Sequence, residues 1–290
     1  MPVRLILIAL LAVSSMSMVP VLVKSTSANE ISIGIFRLGI ALLLISPFVF
    51  YKQLLMKLSR TQWLGLMWIG LCFGVHWLTY FYSIKAAGAA LAAIAVSTYG
   101  VHLLLLNVMF KRYRIRYSEW LAIALCICGC IMVAPPLNWQ ESSTPGLLVG
   151  LLSGFLYGAM PLLHQRANEL PTMTRTWGQF AFALLVFLLF AADFDTPETT
   201  LDLHKLLALG VICTVLAHGL WVKASTELPA LFTAMIYYLY VPLAMISSYL
   251  ILDEEINMHM ILGAALIISA NSALALLQWQ RQRKTTLAPD

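Results

Sequence analysis

The feature that most constrains this 290-residue chain is an internal repeat whose two copies each hold an odd number of long apolar segments. Val19-Pro20 in the first segment matches Met160-Pro161 in the sixth, and Leu121–Leu125 in the fifth matches Leu262–Leu266 in the tenth. Both matches have an offset of 141 residues. Because five crossings reverse the side from which the next copy starts, the copies are predicted to have opposite topology in a bilayer.

Composition places the chain in a membrane, since 61% of its residues are hydrophobic and 11% are charged, against about 25% charged in soluble domains. Ten segments have the roughly 17 to 25 apolar residues that a helix needs to cross a bilayer. They are 3–23, 31–51, 62–84, 88–110, 117–134, 145–165, 173–192, 203–224, 228–251 and 257–278. The predicted fold is an all-α integral membrane protein with ten transmembrane helices in two inverted five-helix repeats. The repeats are 1–138 and 139–280, followed by a cytoplasmic tail at 281–290.

The basic residues predict the orientation of these spans. Of the 18 Lys and Arg residues, all but Lys24, Lys85, Lys205 and Arg37 fall at one end of the spans. Cytoplasmic loops of membrane proteins carry the excess of Lys and Arg. Both termini are therefore predicted to be cytoplasmic. The corner after span 4 is basic, at 111–116, whereas the corner after span 9 is acidic, at 253–255, as expected if they face opposite sides.

Several classes of function are disfavoured. The net charge of +5 comes from basic residues scattered through short loops, so no nucleic-acid surface is predicted. Cys126, Cys128 and Cys130 point in different directions on a helix, so neither a metal site nor a cofactor is expected. No catalytic motif or phosphate loop is present, which argues against an enzyme.

Four glycines recur at every fourth residue in span 6, at Gly146, Gly150, Gly154 and Gly158. Such a stripe lets a neighbouring helix approach closely. The contact that it predicts is either static packing or a surface along which two helices slide.

Short motifs add a family resemblance. They are Phe36-Arg37-Leu38, Tyr240-Val241-Pro242, and Leu252-Asp253-Glu254-Glu255 ahead of Gly263-Ala264-Ala265-Leu266. With ten spans in two repeats, the chain resembles the EamA-type members of the drug/metabolite transporter superfamily. The resemblance implies transport of small organic metabolites (amino-acid-like, aromatic or drug-like solutes) across the bacterial inner membrane. It also implies alternating access around a central cavity, with export favoured. A non-transporting membrane sensor that binds a ligand is the alternative.

Aromatic and histidine side chains near the span centres are the candidate substrate-binding residues. They are Trp77, Tyr80, Tyr99, His102, Tyr157, His218, Trp221, Tyr237 and Tyr240. Helical spacing puts Trp77 with Tyr80, and Tyr237 with Tyr240, on shared faces. Most of them lie in spans 3, 4, 8 and 9, the corresponding pairs of the two repeats, and transporter cavities form at repeat interfaces. The alternative is interfacial belt or core packing.

One cation and a few histidines are the titratable groups placed within the spans. Arg37 lies early in span 2, where it either binds a substrate carboxylate or phosphate, pairs structurally, or snorkels to the surface. No carboxylate is predicted at mid-membrane depth, so a coupled proton would need His76, His102 or His218. Protons are thus a candidate coupling ion beside a small-molecule substrate and the lipid bilayer. The protein is expected to be a monomer or a homodimer.

Overall fold

A computed structural model describes residues 3–111, 115–134, 138–228 and 235–287. Within these ranges the chain is helical and contains no β-strand, and each of the ten predicted spans overlaps one helix or a broken helix. Residues 229–234 of the predicted span 9 lie outside the described residues. The helices are Val3–Ser17 and Val19–Ser25 (span 1), Glu30–Tyr51 (span 2), Arg60–Ala87 (span 3), Ala89–Val96 and Tyr99–Lys111 (span 4), Tyr117–Val133 (span 5), Ser143–Arg166 (span 6), Thr172–Leu188 (span 7), Thr200–Gly210, Val211–Leu216 and Ala217–Glu227 (span 8), Met235–Leu252 (span 9) and Met258–Leu287 (span 10).

Length and composition qualify most of these helices to cross a membrane. Among the described residues, 8 helices are long and apolar enough, and Tyr117–Val133 is a shorter apolar helix. Large apolar side chains such as Leu43, Ile131 and Leu189 are exposed on the outer faces. Soluble monomers rarely expose extended apolar surface, so these faces contact lipid and the chain is a multi-pass membrane protein.

Local sequence signals fix where several helices begin. The side chain of Asn29 accepts a hydrogen bond from the Ser32 amide, and Ser59 forms a reciprocal capping box with Gln62. Such caps satisfy backbone N–H groups that have no partner within the helix. Spans 3 and 4 meet at Gly88, whose φ of +97° lets the chain turn without a loop.

Four spans are interrupted near the centre of the molecule, among them span 9, where a turn at Leu239 precedes a new helix that begins at Tyr240. Span 1 breaks before Pro20, which stands in the first turn of a new helix, where its missing N–H costs nothing. Span 4 breaks at Ser97 and Thr98, whose hydroxyls bond the carbonyls of Ile94 and Ala95. Span 8 contains the π-helical segment Val211–Leu216, a feature that often marks functional sites.

Contacts between spans recur when each span is replaced by its counterpart in the other repeat. Span 3 packs on spans 6 and 7, and span 8 packs correspondingly on spans 1 and 2. Span 4 packs on span 6, and span 9 packs on span 1. Three further pairs, 2 with 7, 4 with 9 and 5 with 10, are their own counterparts. The chain therefore has two-repeat architecture, and this pattern is the one that a pseudo-two-fold relation between five-helix units produces.

The glycine stripe of span 6 packs against spans 3 and 4 so closely that a side chain at these glycines would clash with them. A Cβ on Gly150 would lie 2.5 Å from Ser83 Oγ, and one on Gly154 would lie 3.0 Å from the Ala95 carbonyl oxygen. The residues 141 positions earlier, including Ala9 and Val13, are buried in span 1. The close contact that the stripe predicted is present, while sliding stays a prediction.

Two boundary predictions need comment. The basic corner after span 4 centres on Arg112 and Arg114, and these, like part of the repeat junction at 135–137, lie outside the described residues. The segment 281–290, expected to be a tail, continues the last helix as far as Leu287. Helix-favouring residues such as Gln, Arg and Lys prolong the helix past its apolar part.

Candidate functional site

Two neighbouring cavities occupy the middle of the molecule at the interface of the repeats. The inner cavity has an empty volume of about 450 Å³ and the outer one has about 1200 Å³, and both volumes include open solvent. Phe73, Tyr157, His218 and Tyr237 line both cavities, so these four side chains form the wall between them. Four spans contribute these shared residues, spans 3, 6, 8 and 9.

The structure brings most of the predicted residues to this site. The inner cavity is lined by Arg37, Trp77, Tyr80, Tyr157, His218, Tyr237 and Tyr240. The outer cavity is lined by Tyr99, Tyr157, His218, Trp221 and Tyr237. His102 lines neither, because its ring packs edge-on against Phe155 with centroids 5.8 Å apart. Whether the lining residues bind substrate stays a prediction.

The rings form one connected cluster rather than separate contacts. Tyr237 stacks on Tyr240 with centroids 5.9 Å apart and an interplanar angle of 5°. Tyr157 and Trp221 contact the same Tyr237 ring at 5.8 Å and 5.3 Å. The hydroxyls of Tyr80 and Tyr240 hydrogen-bond each other across the two repeats. A cavity of this kind presents flat apolar faces with hydroxyl groups between them, which suits an amphipathic organic solute.

Arg37 is the one cation that lines the inner cavity among the described residues. Its side chain is 1% exposed, so it does not snorkel to the surface. Its Nε donates to Thr214 Oγ1 at 3.1 Å, and its guanidinium carbon lies 4.0 Å from the centre of the Trp77 ring. Thr214 belongs to the π-helical segment of span 8, which presents the hydroxyl 177 residues away in sequence.

His76 is fixed between two helices beside the cavity. Its Nδ1 lies 2.8 Å from Ser153 Oγ in span 6. Its ring stacks on the Tyr157 ring, with the two ring centroids 5.0 Å apart. The serine is buried beside the glycine stripe. This arrangement gives His76 a structural partner, although the residue also lines the inner cavity.

The sequence did not predict that His164, Thr172 and Arg175 form a polar mouth of the outer cavity. His164 Nε2 lies 2.9 Å from Gln179 Oε1, and Arg175 donates to the His164 carbonyl at 3.2 Å and to Thr172 Oγ1 at 3.2 Å. These residues stand at adjacent ends of spans 6 and 7. In the sequence they have the pattern of ordinary span ends, and only the folded chain shows that they surround an opening.

The opposite end of the molecule is closed by lysine contacts. Lys24 donates to the Lys85 carbonyl at 2.6 Å, Lys85 donates to the Thr26 carbonyl at 2.5 Å, and Lys205 donates to the Ser25 carbonyl at 2.5 Å. These are the three lysines that the sequence separated from the other basic residues. They tie spans 1, 3 and 8 together.

A carboxylate completes the closed end. Glu254, after span 9, accepts hydrogen bonds from the backbone amides of Ala89 at 2.7 Å and Ala90 at 3.0 Å. It also accepts one from Ser248 Oγ. Ala89 and Ala90 open span 4, whose N-terminal amides favour a negative charge. The second repeat thereby caps a helix of the first.

The helices, the two-repeat architecture and the central cavity define a membrane protein of transporter architecture. The chain belongs to the EamA-like transporter family, which matches residues 3–134 and 144–275, one match in each repeat. The resemblance seen in the sequence is thus confirmed.

Individual relatives are named as transporters. The pseudopaline exporter of Pseudomonas aeruginosa is 28% identical over 93% of this chain and 95% of its own length. The biotin transporter of Escherichia coli K12 is 23% identical over 88% of this chain and 86% of its own length. The S-adenosylmethionine uptake transporter of Rickettsia bellii is 24% identical over 84% of this chain and 83% of its own length. A solved crystal structure covers 97% of this chain with a TM-score of 0.66 at 15% identity, which supports the fold alone.

Proposed function

We propose that the protein is a secondary transporter that moves small organic metabolites across the bacterial inner membrane by alternating access. One observation carries this proposal. The ring-lined outer cavity is open at the end of spans 6 and 7, and the other end is closed by contacts of Lys205 and Glu254 that cross the repeats. Alternating access requires such a one-sided opening at the repeat interface.

The proposed orientation makes the open mouth cytoplasmic. His164 and Arg175 stand at the end of the spans where the sequence places most basic residues. Cysteines replacing Arg112 and Glu255, in a background without the native cysteines, should react with impermeant reagents from opposite sides of the membrane. Reaction from the same side would contradict the inverted topology.

We propose export as the direction, since a relative that matches 93% of this chain is named as an exporter. Other relatives are named for biotin and for S-adenosylmethionine uptake, so family membership by itself leaves the solute open. The geometry of the site supports a solute with flat apolar surface and polar groups.

Transport can be tested with purified protein in liposomes. A thermal-shift screen identifies a metabolite that stabilises the protein, because a ligand that binds the folded state raises its stability. Counterflow of that labelled metabolite should then appear in loaded proteoliposomes and not in protein-free ones. Saturable binding without counterflow would favour the alternative, a membrane sensor.

A further inference from the structure

We propose that the substrate carries an anionic group, a carboxylate or a similar oxyanion, that pairs with Arg37 on the wall of the inner cavity. The inference rests on the proposed function and goes further, since it assigns one chemical class to the solute. Three observations on Arg37 carry it: its unsatisfied donor, its unpaired charge and its position among the rings.

Arg37 has hydrogen-bonding capacity that the protein leaves unused. Its Nε bonds Thr214 Oγ1, whereas its Nη1 is buried and has no hydrogen-bond partner among the described residues. Buried donors in proteins are satisfied in the great majority of cases. A guanidinium presents a planar fork of N–H donors that matches the two oxygens of a carboxylate.

The charge of Arg37 is also uncompensated. Ion pairs in the described part of the chain join Lys205 to Asp202 and Arg281 to Glu119, and none there includes Arg37. Contact with the Trp77 and Phe81 rings gives partial stabilisation. Buried charges are normally paired with an opposite charge, so a ligand that brings one is favoured at this position.

The surroundings favour an organic anion over a bare ion. Tyr80 and Tyr240 present a hydrogen-bonded pair of hydroxyls in the same cavity. Tyr157 and Tyr237 continue the wall into the larger outer cavity. A solute whose oxyanion meets Arg37 can thus place its apolar body against these rings, a contact that a small inorganic ion does not make.

Matched pairs of probes test this inference before the natural solute is identified. Indole-3-acetate is compared with indole-3-acetamide, and phenylacetate with phenylacetamide, by the concentration dependence of the thermal shift of the purified protein. Sodium chloride and sodium phosphate serve as inorganic anions. At least one acid is expected to bind roughly tenfold or more tightly than its amide, the ratio that one charge-assisted hydrogen bond supplies.

Variants distinguish the effect of the Arg37 charge from the effect of the hydrogen bond that holds its side chain in place. Arg37→Gln should abolish the preference for acids, and Arg37→Lys should retain part of it. Thr214→Val removes the bond to Nε but leaves the charge, so it should keep the preference. The comparison of acid and amide in the unmodified protein stands even where a variant fails to fold.

Three results would overturn the inference. They are equal binding of acids and amides, an acid preference that survives Arg37→Gln, and a saturable shift of the same size with chloride or phosphate alone. Counterflow of neutral solutes without any preference for acids would overturn this inference and leave transport standing. Acid-selective binding without counterflow would overturn the proposed transport and leave the pairing of Arg37 with an anionic ligand standing.

Discussion

Removing the Glu254 carboxylate should open the closed end of the molecule. Its bonds to the Ala89 and Ala90 amides join the two repeats, at 2.7 Å and 3.0 Å. Hydrogen bonds to charged groups contribute about 1.5 to 3 kcal/mol each. Because Glu254 is only partly buried, the lower value applies, and the two bonds together contribute about 3 kcal/mol. Glu254→Ala should therefore raise the population of the state open at this end by roughly 100-fold.

Cysteine labelling measures that population. Val96 is buried, lines the inner cavity and belongs to the helix that Glu254 caps. In right-side-out vesicles carrying Val96→Cys without native cysteines, an impermeant maleimide should react about 100-fold faster when Glu254→Ala is added. Glu254→Gln retains one carbonyl acceptor, so it should give an intermediate rate.

The neighbouring acid provides the control. Glu255 is exposed, and Glu255→Gln removes the same charge one residue away. Labelling at position 96 should then stay at the rate of the unmodified protein. Equal rates for Glu254→Ala and the unmodified protein, or equal acceleration by the two variants, would refute the assignment of a specific tie at Glu254.

The remaining predictions concern the cavity and the glycine stripe. Trp221→Ala should lower counterflow by roughly tenfold through lost ring contact with the solute, whereas Trp68→Ala, on an exposed face, should leave it unchanged; equal effects would assign Trp221 to packing. His218→Gln should preserve counterflow without a gradient, and loss of proton-driven accumulation in this variant alone would identify His218 as the coupling group. Gly154→Val should lower the melting temperature and transport together, since its Cβ would lie 2.8 Å from Thr98 Oγ1; normal transport would show that the stripe has room to relax.

Much of the fold was predictable because membrane helices are recognisable by their length and polarity. The ten spans follow from apolar runs, and the contact of Tyr237 with Tyr240 follows from spacing within one helix. The position of His102 does not. Span 4 breaks at Ser97 and Thr98, and beyond the break the ring of His102 packs against span 6 instead of lining the cavity.

The contacts that matter most at the site are between residues distant in sequence. The bond from Arg37 to Thr214 joins spans 2 and 8. It also depends on a π-helical segment, in which the Thr214 hydroxyl bonds the Leu209 carbonyl five residues earlier. Hydrophobic periodicity carries no signal for such an irregularity, and the pairing of spans is a property of the assembled bundle.

The tie at Glu254 has an evolutionary corollary. Its partners in the first repeat are main-chain amides, which every residue except proline provides. Ala89 and Ala90 can therefore be replaced by any residue that the packing accommodates without loss of the hydrogen bonds to Glu254. Glu254 has no such freedom because it supplies the carboxylate. Gly88 has none because its φ is +97° and a Cβ on it would lie 3.0 Å from the Glu254 carboxylate. A saturation mutagenesis library selected for function should show strict preference for the native residue at these two positions, whereas the buried Ala89 and Ala90 should accept any residue small enough to pack there.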